Sequence, residues 1–135
     1  MNPKKISFKN VEHAKYIAYW KKAQDFYNSM SMAYGNKNWH SVGLESVRCA
    51  ISATDALLVY KKGMRCSSQD HRDLADFLID QFNNNDARKY SDTLVKIISM
   101  KNIIEYEDRI FTEKEASEIF KRTERYYNWV KSQIP

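Results

Sequence analysis

The stretch Val11–Gly35, VEHAKYIAYWKKAQDFYNSMSMAYG, decides the fold class. Tyr16, Tyr19, Trp20, Ala23, Tyr27, Met30 and Tyr34 recur at steps of three and four, which is one face of a helix and not the alternation of a strand. The period predicts a helix from about Val11 to Tyr34, ended by Gly35, a residue that tolerates a left-handed conformation.

The same reading continues along the chain. Asn38 is placed to cap a second helix whose inward stripe is Val47, Ile51, Thr54 and Leu58, widened by Ala50 and Leu57. Lys61 and Lys62 suit its last turn, and Gly63 is its stop. Ser67-Ser68-Gln69-Asp70 offers caps for a short third helix, with Leu74, Phe77, Leu78 and Phe82 inward and Asp73, Asp76 and Asp80 on the wet face. Asn83-Asn84-Asn85-Asp86 breaks the chain before a fourth helix expected from about Asp86 to Asp108. Thr112 and Glu115 have capping-box spacing, and Phe111 with Ala116 fits a hydrophobic staple, so a fifth helix starts there. Its inward face is Ala116, Ile119, Phe120, Thr123, Tyr127, Val130 and Ile134. The expectation is an all-α, up-and-down antiparallel bundle of about five helices, one domain over residues 1–135.

Composition agrees. The only two prolines, Pro3 and Pro135, stand at the ends and forbid no internal helix, while 3 glycines are too few for a β-sandwich of this length. Two cysteines, Cys49 and Cys66, make neither a disulfide framework nor a zinc spacing. No apolar run has the length of a membrane span, and residues 1–10 lack a signal-peptide core. These features predict a cytoplasmic protein with no membrane partner. The net charge of +5 equals the balance of residues 1–22 alone, six lysines against Glu12. A basic leader over residues 1–10, flexible and suited to phosphate, is one reading of it; solvated lysines beside an apolar stripe is the other.

The fourth helix breaks its own pattern. Its inward stripe begins Tyr90, Leu94, Ile97 and continues through Lys101, Ile104/Glu105 and Asp108, seating ionisable groups where apolar ones belong. On the second helix Asp55 falls at the edge of the buried face, with Arg48 two turns earlier on the same flank. Buried charges must pair, reach water or line a cavity. Two arrangements satisfy this: a network of Lys101 or Arg109 with Asp55 and Glu105 tying the second and fourth helices, or a polar cleft built from the same residues. His71, in the first turn of the third helix, is of a type that most often serves structure. A metal would need it beside Asp55, Glu105 and Asp108, and without a Glu-x-x-His pair neither metal nor cofactor is expected. Trp39, Tyr126 and Trp129 fall off the inward stripes and are candidates for a protein-contact face.

The run Met100-Lys101-Asn102-Ile103-Ile104-Glu105-Tyr106-Glu107-Asp108-Arg109, then Phe111-Thr112-Glu113-Lys114-Glu115-Ala116, resembles the last two helices of HEPN domains (higher eukaryotes and prokaryotes nucleotide-binding). Ala53-Thr54-Asp55-Ala56-Leu57-Leu58 and Asp70-His71-Arg72-Asp73-Leu74 extend the resemblance back through most of the chain. It implies an up-and-down helical bundle that forms a homodimer with a cleft between protomers. It also implies a nucleic acid or nucleotide as ligand and, because many members resemble toxins of toxin–antitoxin pairs, a cognate protein partner. The family's metal-independent ribonucleases carry an Arg, a polar residue and, a few positions on, a His. Laid on that signature, Lys101 stands for the Arg, Asn102 for the polar residue and Tyr106 for the His. Lysine lacks the bidentate fork of arginine, and tyrosine, with an unperturbed pKa near 10, shuttles protons poorly at neutral pH. The resemblance therefore implies a binding domain before an enzyme. The alternatives are a ribonuclease or nucleotide-processing enzyme with an altered motif, and a structural interaction protein.

Overall fold

Helical periodicity yields five helices: α1 (Tyr16–Gly35), α2 (Trp39–Lys62), α3 (Arg72–Phe82), α4 (Asn85–Tyr106) and α5 (Glu113–Gln133). They are seen in a computed structural model that describes residues 5–135; Lys4 and the rest of residues 1–4 lie outside the described residues. Two short strands, β1 (Phe8–Asn10) and β2 (Met64–Cys66), pair antiparallel with Phe8 opposite Cys66 and Asn10 opposite Met64. The described part of the expected flexible leader is thus tied down at Phe8–Asn10. A 3₁₀ turn, His13–Lys15, then replaces the expected first turn of α1, which starts at Tyr16.

α2 is the central helix. Ser52 to Val59 are buried without interruption, so every face of that segment is covered. It packs against all four other helices. The buried side chains form one cluster, among them Met30 of α1, Leu57 and Leu58 of α2, Leu78 of α3, Leu94 and Ile97 of α4, and Ile119 and Val130 of α5. Truncating such a leucine to alanine costs about 2–5 kcal/mol.

Most expected stops and starts are met, some by other atoms. Gly63, at φ 62°, ends α2 in the left-handed region that glycine tolerates. Gly35 stays inside α1, and the left-handed residue after it is Lys37. Asn38 occupies the cap position of α2, but its side chain makes no capping bond. Asn84 caps α4 by accepting from Ala87 N at 2.8 Å. The capping box of α5 is complete: Glu115 N donates to Thr112 Oγ1 at 3.2 Å and Thr112 N to Glu115 Oε1 at 3.0 Å.

The three aromatic residues off the inward stripes pack into the bundle, Tyr126 buried and Trp39 and Trp129 half-buried. Tyr126 is fully buried and hydrogen-bonded to Thr54, Trp129 stacks on Tyr90 at 4.5 Å, and Trp39 sits edge-on to Tyr34. Positions off the stripe are covered because α5 is flanked by both α2 and α4. Asp73, expected on the wet face of α3, is buried, because the loop before α3 folds over it and Ser68 Oγ donates to its carboxylate at 2.6 Å. Among the described residues no helix is long and apolar enough to cross a membrane.

Candidate functional site

Three adjoining clefts meet at His71, which lines all of them. Helical spacing explains the walls. On α2, Arg48, Ile51, Ser52 and Asp55 share one face; on α4, Ile98, Lys101, Asn102 and Glu105 do the same. Between them runs the β2–α3 loop, which holds His71 by its own hydrogen bonds. Asp70 N donates to Ser68 Oγ, Arg72 N to Asp70 Oδ1, and Leu74 N to His71 O.

A glycine sets the depth. A Cβ on Gly43 of α2 would run into Ile104 Cδ1 and stand 3.0 Å from Phe111 Cε2. Its absence lets Ile104 seat the last turn of α4 on α2, carrying Lys101 and Glu105 to the groove. The turn after α4 is also anchored to α2: Phe111 N donates to His40 Nε2 at 3.1 Å. α4 ends at Tyr106, however, so Asp108 falls in an exposed loop and leaves the stripe.

The first cleft, ≈140 Å³, is lined by Lys9, Asp55, Arg65, Cys66 and Asp70 among others. Burial of Asp55 pushes its carboxyl up to about 6, against an opposing pull from Arg65. Arg65 Nε stands 3.5 Å from the carboxylate, an ion pair beyond ideal hydrogen-bond length, and that nitrogen is shielded from solvent without a hydrogen-bond partner among the described residues. The second cleft, ≈350 Å³, sets Lys101, Asn102 and Tyr106 on one wall with His71 and Arg72 opposite. The third, ≈330 Å³, is the most apolar, with Phe26, Leu44, Val47 and Ile51 around Arg48, Ser52, His71, Lys101 and Glu105. Burial and then the Lys101 charge hold His71 below its ordinary pKa of 6.5.

Of the expected cluster, Arg48, Asp55, His71, Lys101 and Glu105 therefore border one groove, as do the signature positions Asn102 and Tyr106. Of the two arrangements considered, the network between α2 and α4 does not form among the described residues. Lys101 meets Glu105 at 3.9 Å within α4, their side chains 30% and 31% exposed. Arg109 turns away, to Glu107 at 3.1 Å and Glu115 at 2.7 Å, because the capping box places Glu115 beside it. The partner of Asp55 is Arg65, which no helical period announced. Phe26, Arg65 and Arg72 were not singled out as site residues; Arg72 alone had a signal, its place beside His71. Among the described residues no group of three side chains is arranged to hold a metal ion, and Asp55 and Asp108 are far apart in exposure.

A comparison with known families matches residues 16–133 to the HEPN domain, from the first turn of α1 to the last of α5. The chain belongs to the HEPN family. No curated protein and no solved structure shows significant similarity to it. In this HEPN domain the α4 segment that resembles the family signature contributes Lys101, Asn102 and Tyr106 to a cleft, with Tyr106 largely exposed at its mouth.

Proposed function

We propose that this HEPN domain is a cytoplasmic binding module for nucleic acid or nucleotide, holding phosphate in the groove around His71. It works as a homodimer, and a cognate protein partner of toxin–antitoxin type is the expected company. The observation that supports this best is the second cleft, where Lys101 and Arg72 approach one space from opposite walls. Lys101 holds phosphate as a point charge, and Arg72, though chelated by Asp70 at 3.2 Å, has further donors. The test is a titration with short single-stranded RNA at several salt concentrations. Each phosphate contact on a single strand adds about 0.7 to the slope of log affinity against log salt. Lys101→Ala is expected to lower affinity several-fold and the slope by about that amount; a wild-type protein without RNA or nucleotide affinity at low salt sinks the reading.

His71 favours a second reading. An imidazole with a depressed pKa, opposite Lys101 and Tyr106, is suited to accept a proton from a ribose hydroxyl. RNA cleavage by the wild type and none by His71→Ala would select it. Equal cleavage by both would point to contamination.

A further inference from the structure

The third cleft is of mixed polarity, and beside Lys101 and His71 it contains two oppositely charged side chains, Arg48 and Glu105, that pair along their own helices and not with each other. Arg48 of α2 is bound to Glu45 at 3.1 Å with half of its side chain exposed. Glu105 of α4 meets Lys101 at 3.9 Å, beyond hydrogen-bond length, and bears electrostatically on His71; among the described residues its carboxylate accepts no hydrogen bond, so its oxygens keep their lone pairs. Both border the same ≈330 Å³ space, with the Phe26 ring as one wall. A pocket that combines an aromatic ring and aliphatic side chains with several polar groups suits a base, whose face stacks and whose edges are read by side chains.

The chemistry of the two readers restricts which base. A guanidinium only donates and a carboxylate only accepts. Guanine carries the acceptors O6 and N7 on one edge and N–H donors at N1 and N2 on the adjoining edge. Adenine sets an amino donor where O6 stands and a bare acceptor where guanine has N1–H, so both readers are mismatched.

We propose that the third cleft is a guanine subsite, in which Arg48 donates to O6 and N7 and Glu105 accepts from the N1 and N2 hydrogens. The attached phosphate lies past His71, between Lys101 and Arg72. This rests on the phosphate-binding reading above and adds the identity of the base.

Calorimetric titration of the full chain at low salt with GMP, AMP and ribose 5-phosphate tests it. GMP is expected to bind about tenfold or more tighter than AMP, the size of one well-read base edge. Glu105→Gln and, separately, Arg48→Gln are expected to remove most of that preference while ribose 5-phosphate still binds, more tightly in Glu105→Gln because Lys101 loses its ion-pair partner, and that retained binding also shows that each variant is folded. Equal affinity for GMP and AMP, with ribose 5-phosphate bound, overturns the guanine subsite and spares the phosphate cleft. Binding of none of the three, nor of RNA, overturns both. The dinucleotides ApG and ApA separate the sources: ApG well above GMP assigns the site to a strand, and ApG equal to GMP assigns it to the free nucleotide. ApA equal to ApG overturns the proposal.

Discussion

Asp55 concentrates the tension between fold and site. Its side chain is 8% exposed and its ion partner, Arg65, is 3.5 Å away. Desolvation outweighs that attraction, so the carboxyl rises from 3.8 to about 6. The sign of the consequence follows from linkage. With the folded pKa above the unfolded one, the folded state takes up the proton first as pH falls. The contribution is fully present below pH 3.8 and lost as pH rises through about 6. A shift of this size is worth up to about 3 kcal/mol. Asp55→Asn, which keeps the shape and removes the charge, is therefore expected to raise Tm by several degrees at pH 7. The advantage should shrink toward zero at pH 4. Arg65, with 42% of its side chain exposed, can turn its charge to water when the partner is neutral. Thermal melts of both proteins from pH 4 to 7 check this, and a difference that stays flat across the range refutes the buried-charge account.

Among the elements, the last turn of α4 matters most to the groove, and it is held by an absence. Alanine at Gly43 would gain about 1 kcal/mol of helix propensity. Its Cβ would displace Ile104 and press on Phe111, and overpacking of that kind costs about 1–3 kcal/mol. Gly43→Ala is expected to lower stability by about 1 kcal/mol net. It should weaken nucleotide binding as well, since Ile104 lies between Lys101 and Glu105 in sequence; a rise in Tm with binding unchanged would show that the turn repacks freely. That dependence was invisible in the sequence, where Gly43 is one small residue in a helical period. The helices themselves were legible, because each buries a face wide enough to impose its period, and so was the capping box at Thr112 and Glu115. The ribbon of β1 and β2 was not. Three-residue strands carry too little alternation to read, and β1 is exposed throughout. Losing that ribbon meant losing Arg65, and with it the partner of Asp55. Asp108 was misplaced for a related reason: extending the period two residues past Tyr106 carried it onto a helix face that the chain had already left.

At the scale of the whole molecule, charge is distributed unevenly along the sequence. The net +5 is concentrated in residues 1–22, and every later base is matched by an acid. Two of those lysines are tied to the site by the fold. Lys9, opposite Arg65 in the ribbon, lines the first cleft, and Lys22 of α1 bears on the carboxylate of Asp55. α1 also supplies Phe26 to the third cleft, one turn beyond Lys22. The sequence left open whether this basic excess meets phosphate or only solvates a helix. The positions of Lys9 and Lys22 support the first, because both add positive potential beside the groove, where a polyanion would bind. Single-stranded RNA long enough to leave the groove should therefore contact Lys9 and Lys22. Lys9→Gln with Lys22→Gln is expected to lower the slope of log affinity against log salt by about 1.4, the value for two phosphate contacts on a single strand. The preference for GMP over AMP should be untouched, since neither lysine borders the cleft of Arg48 and Glu105. An unchanged salt slope would assign the lysines to solvation alone, whereas a changed base preference would mean that the ribbon and α1 shape the third cleft as well as its field.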